Sequence, residues 1–422
     1  MTYKRLLAYG LCVCILASGS FAAAPKVSGL SETKLTLAAA KTAPGAPVSG
    51  EAGSPAASEA AFRYGFEEYA NIRLNWNIGE RAVFYGAFNL HAAAGFPAQM
   101  AALANTAAVL GGMGLLPSGF VGGENFTAAI ELERLYFRVN SDWFDIDTGL
   151  MRLAFGYGQA WGPSDFLNPR NPLLPDARPR GVLGSSLFIY PSDTAKVSVF
   201  AVTPKNPFAA DGSGFLFGTS GEMHLDRLSG QLLYSYETPQ DGGAISSGTA
   251  GNGAASSSEY GIHRGGLSLK ADLELGLAAD ILYTYNHEKR TGLEGLAASA
   301  GFDYSFLDGN VYILAEYLYC GSESDTATAN GFKNNHYLYG MATYRFSDYT
   351  ALSLSCIAEF ETVSFVPSLS LEHDLFQGLT LSAVGQVQLD RDLFTENGKT
   401  GELGPEQTGS YGSFTMKLRL RF

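Results

Sequence analysis

Hydrophobic and polar residues take turns along most of this chain. Ile72, Leu74, Trp76 and Ile78 fall on one side of a run in which Asn71, Arg73, Asn75 and Asn77 fall on the other. Leu267, Leu269, Ala271 and Leu273 likewise oppose Ser268, Lys270, Asp272 and Glu274. After a short turn, Leu277, Ala279, Ile281, Tyr283 and Tyr285 continue the apolar side. A repeat of two marks a strand whose faces meet different surroundings. It returns over residues 311–319, 337–346, 352–360 and 379–389. The polar side carries charges at mid-strand, such as Lys270, Asp272, Arg345 and Glu359, which suits a wet lumen better than the inside of a sandwich. Sustained over more than 300 residues, the pattern predicts an all-β chain folded as one transmembrane antiparallel up-and-down β-barrel.

The connections alternate between short and long. Tight turns are expected at residues 79–80, 141–142, 191–193, 307–310, 347–348 and 376–378. Long segments are expected at 92–125, 162–180, 204–220, 238–259, 321–335 and 390–409. Outer-membrane barrels carry short turns on the periplasmic rim and long loops on the external rim. About 17 strands can be drawn from Arg63 onward. The even strand numbers of bacterial barrels ask for one more, and residues 26–37 supply it. The expected count is 16 to 18 strands, with 18 preferred; 16 holds if residues 26–59 form a periplasmic linker. The chain then divides into a signal peptide (1–22), an N-terminal strand or linker (23–60) and the barrel (61–422). One stretch reads as a helix: residues 97–110, with Pro97 in the first turn and Gly111-Gly112 beyond its end. It belongs either on an external loop or inside the lumen as a plug.

Composition narrows the reading. Charged residues make up only 16% of the 422, against about 25% in soluble domains. Mean hydropathy is +0.02, too low for a bundle of membrane-spanning helices. The net charge of -13 argues against the basic face that nucleic acid requires, so no nucleic-acid partner is expected. Lys4 and Arg5, an apolar stretch over residues 6–17 and the small residues around Ser20 and Ala22 make an export signal. Its removal leaves Cys320 and Cys356 on strands that are not neighbours, where they are expected to stay unpaired.

The chain ends on FTMKLRLRF, residues 414–422. Alternation puts Phe414, Met416, Leu418, Leu420 and Phe422 towards lipid and Lys417, Arg419 and Arg421 towards the lumen. An amphipathic last strand closing on Phe422 looks like the assembly signal of bacterial outer-membrane proteins. That likeness implies outer-membrane lipid and the barrel-assembly machinery as partners.

The densest motif is GYGQAWGPSDFLNP, residues 156–169, which runs on as RNPLLPDARPR to residue 180. It resembles the G-x-Q-x-x-W-G-x-x-D-x-x-N-P segment of outer-membrane porin families, alginate-export-like channels among them. Gln159, Trp161, Gly162, Asp165, Asn168 and Pro169 carry the match. Those families usually have Arg before the Gln; here Gly158 stands there. The resemblance covers about residues 130–190 and implies a channel superfamily without identifying a solute. Five Pro between residues 163 and 179 stiffen the segment. Folded inward, it would set Arg170, Arg178, Arg180, Asp165 and Asp176 at a constriction, where fixed charges decide which ions pass.

The expected function is an outer-membrane channel (porin) for passive diffusion of small hydrophilic solutes. A substrate-selective transporter, or a plugged barrel serving as a surface adhesin or structural protein, are the alternatives, and a homo-oligomer suits porins of this general type. Catalysis is not expected: the sequence has no G-x-S-x-G, no H-E-x-x-H and no Cys/His cluster. No metal or cofactor is called for. If the Pro-rich loop constricts the lumen, Arg178→Glu or Arg180→Glu shifts the reversal potential in a salt gradient towards cations; an unchanged potential removes both residues from the constriction.

Overall fold

The computed structural model describes residues 24–41, 60–95, 121–123, 126–170, 172, 181–203, 214–239, 261–287, 290–330, 336–361, 363–389 and 410–422. The expected signal peptide (1–22), the candidate helix (97–110) and the three residues Asp176, Arg178 and Arg180 lie outside them. Strands β1 (Lys26–Lys41), β2 (Ala60–Ile78), β3 (Ala82–Gly95), β4 (Val121–Gly123), β5 (Phe126–Asn140) and β6 (Phe144–Met151) come first. Then follow β7 (Val182–Ser192), β8 (Ala195–Thr203), β9 (Leu216–Leu225), β10 (Leu228–Glu237), β11 (Ile262–Asp272) and β12 (Gly276–Asn286). The series ends with β13 (Leu296–Phe306), β14 (Val311–Cys320), β15 (His336–Ser347), β16 (Thr350–Glu359), β17 (Ser364–Phe376), β18 (Leu379–Val387) and β19 (Ser410–Arg421).

Every long strand pairs antiparallel with the next one in sequence, and β1 closes the ring on β19. β4 is a three-residue addition on β5, while β3 pairs with β5 directly. The result is a closed, all-β, up-and-down barrel of 18 strands. Residues 26–37 are indeed a strand of the wall rather than a linker. Tight connections and both chain ends share one rim; the longer connections share the other.

The register confirms the alternation. Ile72 and Leu74 point outward beside Phe88 and Gly86, and Asn71 and Arg73 point inward beside Asn89 and Ala87. On β19 the outward set is Phe414, Met416, Leu418 and Leu420, while Lys417 and Arg419 face inward beside Lys34 and Glu32. Cys320 faces inward on β14 and Cys356 outward on β16, so the wall itself separates the two free thiols. Outward aromatic residues gather near both rims: Tyr234, Tyr236, Tyr285 and Tyr319 near the loops, Phe306, Tyr344 and Phe346 near the turns. Such girdles suit the two edges of a bilayer.

Three features depart from the sequence expectation. Residues 216–220, read as loop, begin β9. Gly218 and Ser220 are small there because the Phe200 ring and Ser198 fill the inward space, and this blurs the hydrophobic alternation. The lumen is also far from uniformly wet. The largest apolar cluster of the molecule lies inside the barrel, where Met151, Leu153, Phe155, Val182, Phe200, Val202, Leu216, Leu233 and Leu282 pack together. Finally, the segment after β14 forms a short helix, α1 (Asp325–Asn330), whose Ala327 is buried among inward residues rather than standing in solvent.

The seam between β1 and β19 has one point of close approach. Gly29 and Phe422 exchange both backbone hydrogen bonds, at 2.8 and 3.0 Å. A Cβ on Gly29 would fall closest to the Asn71 backbone oxygen of β2 and then to the Phe422 ring, whose Cζ is 2.8 Å from that position. Gly29→Ala therefore pushes the ring or the adjoining backbone aside. It is expected to lower the heat-modifiable folded fraction after refolding severalfold. Gly265→Ala, where a Cβ meets nothing within 4 Å, leaves that fraction unchanged.

Candidate functional site

The chain leaves β6 at Arg152 and turns into the barrel, where residues 153–168 run along the inner wall from β8 to β15. A segment without ladder partners must find acceptors for its backbone N–H groups, and the wall supplies them as side chains. The Gln231 amide oxygen accepts from the Gly156 N–H at 2.6 Å. Asp280 accepts from Tyr157 at 3.0 Å and Gly158 at 2.8 Å. Glu316 accepts from Gln159, Ala160 and Trp161 at 2.9, 2.8 and 3.1 Å. Both carboxylates are almost fully buried. Hydrogen bonds to ionised acceptors are about twice as strong as neutral ones, and here they replace the hydration that burial removes.

The motif residues explain themselves in this setting. Gly156 takes φ +79° and Gly162 φ +54°, a region that L side chains rarely adopt. A Cβ on Gly158 would stand 2.6 Å from the Gly162 Cα, so the Arg of the resembling families has no room at that position. Trp161 is 1% exposed and packs against the Tyr337 ring, centroids 5.8 Å apart. Gln159 is the loop's side chain towards the open lumen: its Nε2 donates to Asp303 at 2.8 Å and its Oε1 accepts from Tyr312 at 2.9 Å. Asn168 Nδ2 donates to the Leu153 carbonyl at 2.5 Å and to Asp165 Oδ1 at 3.1 Å, which ties the end of the motif to its start.

Arg170 and Asp165 were expected at a constriction as fixed pore charges; in the structure both make contacts within the loop itself. The Arg170 guanidinium folds back to donate to the carbonyls of Gly158 and Gln159, at 2.5 and 3.3 Å. Asp165 is buried beneath the loop, where burial pushes its carboxyl up to about 6 against the opposing pull of Asn168, Arg170 and Arg152. Tyr157 donates to Glu222 at 3.2 Å, and its hydroxyl is pushed well up by burial and by that carboxylate. Glu222 is in turn held by Lys196 and by His224.

A second inward segment completes the covering of this wall. Arg264 on β11 is clamped by Asp325 of α1, at 2.8 and 3.2 Å, and by Glu237 of β10 at 2.9 Å. Its guanidinium also lies 4.9 Å over the Phe166 ring. Arg264 thus touches the inward loop and the segment after β14 at once. Asp280, Glu316 and Arg264 were not singled out in the sequence, and nothing local marks them as the anchors of a loop more than 90 residues away in sequence.

Burial divides the inward face. Inward residues from β8 to β14 are covered: Val202, Leu216, Leu282, Ala297 and Leu318 are all 0–1% exposed. On β15 to β17, inward-facing Thr343, Ser353, Ser355, Ser368 and Ser370 stay partly exposed, while Tyr337, Ile357, Glu359 and Val366 nearer the loops, and Ser382 on β18, are buried. Partly exposed inward residues thus lie beyond the edge of the loop, on the wall that continues through β19 and β1. That wall bears Lys417, Arg419 and Arg421, with Arg419 Nε 2.5 Å from Glu32. Glu316→Ala strands three backbone N–H groups, two of them buried, a cost of about 3 kcal/mol. Amide exchange at residues 159–161 should quicken about a hundredfold on that basis, while Glu372→Ala on the uncovered wall leaves it unchanged.

No family model matches this chain, and no curated protein does. Solved structures match in fold. Pseudomonas aeruginosa OccK5 (OpdH) overlays with a TM-score of 0.52 at 10% identity, covering 96% of this chain and 100% of that one. P. aeruginosa OccK7 (OpdD) gives 0.51 at 9%, over 95% and 99%. Acinetobacter baumannii OccAB3 gives 0.51 at 10%, over 94% and 99%. Over nearly its whole length, then, this chain has the fold of these barrels.

Proposed function

We propose that this protein is a bacterial outer-membrane channel of porin type, through which small hydrophilic solutes pass by diffusion. The observation that carries the reading is the division of the lumen. One side is packed under an inward loop, and the other keeps a partly exposed, polar wall from β15 round to β1. A barrel with a purely structural role has no need of such a divided interior. The apolar outer face, the two aromatic girdles and the fold likeness to OccK5, OccK7 and OccAB3 support placement in an outer membrane. Two inward segments narrow the passage, and this favours a solute-selective channel over a wide, general one. Export by a cleaved signal (1–22) and insertion through the barrel-assembly machinery by way of Phe422 belong to the same reading. Arg178, Arg180 and Asp176 remain proposed pore charges, while Arg170 and Asp165 are proposed to hold the loop in place through their contacts.

A homo-oligomer is part of the proposal. By register, Glu68 is the one Asp, Glu, Lys or Arg side chain on the outward face of the described strands between the rims. Ser31 and Thr33 donate to its carboxylate at 2.9 and 2.7 Å. A polar spot on an apolar wall suits contact with another protein surface better than contact with lipid tails.

The test is conductance of the refolded barrel in a planar bilayer under a salt gradient. Stable steps with a defined reversal potential are expected. Gln159→Ala, which removes the loop's lumen-facing amide, should raise the step size. Silence from heat-modifiable, folded protein refutes the channel.

A further inference from the structure

Beneath the loop, three groups meet with one hydrogen atom too few. Asn168 spends both hydrogens of its amide, one on the Leu153 carbonyl and one on Asp165 Oδ1. Asp165 Oδ1 also accepts from the Phe155 N–H at 3.4 Å. The two oxygens left over, Asp165 Oδ2 and Asn168 Oδ1, are both buried and without a hydrogen-bond partner among the described residues. They belong to residues already joined by the 3.1 Å bond. Two neighbouring buried acceptors repel each other, and each unmet acceptor is costly. A single proton removes both faults: on Asp165 Oδ2 it becomes a donor to Asn168 Oδ1, and acid and amide close a ring of two hydrogen bonds.

We propose that Asp165 and Asn168 hold such a proton between them, and that its uptake and release make the inward loop a pH-sensitive element of the barrel. The surroundings fit. Phe155 and Phe166 stack with centroids 6.0 Å apart, and Leu153 and Leu167 lie in the same apolar cluster, which sets the pair among apolar side chains. The charged groups acting on Asp165 are Arg152, from the start of the loop, and Arg170, from its far side. Arg152 in turn faces Arg134 and Glu133 of β5. These cations favour the ionised carboxylate, yet burial outweighs them and pushes the carboxyl up to about 6. Because the native carboxyl holds its proton more tightly than a free Asp does, the loop is most stable below about pH 4. It loses that extra stability as pH rises towards 6, and changes no further above it.

The lock is a property of the loop and does not depend on the barrel conducting. The experiment is a pH titration of the intact, folded protein in micelles from pH 4 to 8, read in two ways. Infrared spectra should show a protonated-carboxyl C=O band with a midpoint near pH 6 that is missing from Asp165→Asn. Amide exchange over residues 153–168, corrected for intrinsic rates, should lose about a hundredfold of its protection between pH 4 and 6 and stay level above that. In Asp165→Asn, where the amide supplies the hydrogen permanently, protection should be high and independent of pH. The proposal is overturned by a band that survives in Asp165→Asn, by a wild-type midpoint near 4, or by wild-type protection that ignores pH. If Asp165→Asn fails to fold, the wild-type exchange titration decides alone. A barrel that shows the titration but passes no current counts against the channel and for the lock.

Discussion

An irregular stretch of backbone can lie inside a barrel only if something other than a neighbouring strand satisfies its N–H groups. Here that duty falls on wall side chains, above all on Glu316 and Asp280, which between them take five of the loop's backbone donors. The rest of the interior follows from these bonds. They draw the loop against β8 to β15, and its apolar residues, Phe155, Trp161 and Phe166, are thereby pressed onto inward-facing Phe200, Leu282 and Tyr337. Burying that surface contributes on the order of 25 cal/mol for each Å² removed from water. The polar anchors set where the packing occurs, and the packing keeps water away from the anchors.

The consequence is a barrel with two unlike interiors. Behind the loop it has the close packing of an ordinary protein core, while in front it keeps short hydroxyl side chains and charged rows. Arg264 joins the two inward segments at a single point, with a carboxylate on each side and an aromatic ring across its face. Breaking one partner of such a buried group leaves a charge uncompensated, which is far costlier than never having had the pair. That one guanidinium therefore ties the placement of α1 to the placement of the loop.

Much of the architecture was legible before any coordinates, because period-two alternation states both the strand and the face of each side chain. The run from Ile72 to Ile78, the last strand and the strand at residues 26–37 all read correctly. The Pro-rich segment 162–180 was open in sequence to folding inward or lying outside, and nothing marked residues 153–161 before it as part of the inward segment. Its anchors were not legible, since Asp280 and Glu316 look like any other polar residue on an inward face. The roles of Arg170 and Asp165 were likewise hidden. A charge in a loop sequence gives no sign of whether it faces solvent or folds back onto carbonyls. Loss of alternation where Gly218 and Ser220 make way for Phe200 concealed the start of β9 for the same reason: the compensating bulk sits on another strand.

The seam described above also governs how the wall is made. Glu32 reaches Arg419 and Thr36 reaches Thr415, partners separated by 387 and 379 positions along the chain. Every other hairpin can form from nearby sequence, but this one waits for the two most distant strands to meet. Loop-closure entropy grows with that separation, and non-local pairing is slow. Until it occurs the sheet has two open edges, each a row of unpaired backbone groups able to recruit a foreign strand. The step that turns a curved sheet into a tube is thus also the step at which the chain is most exposed to mispairing.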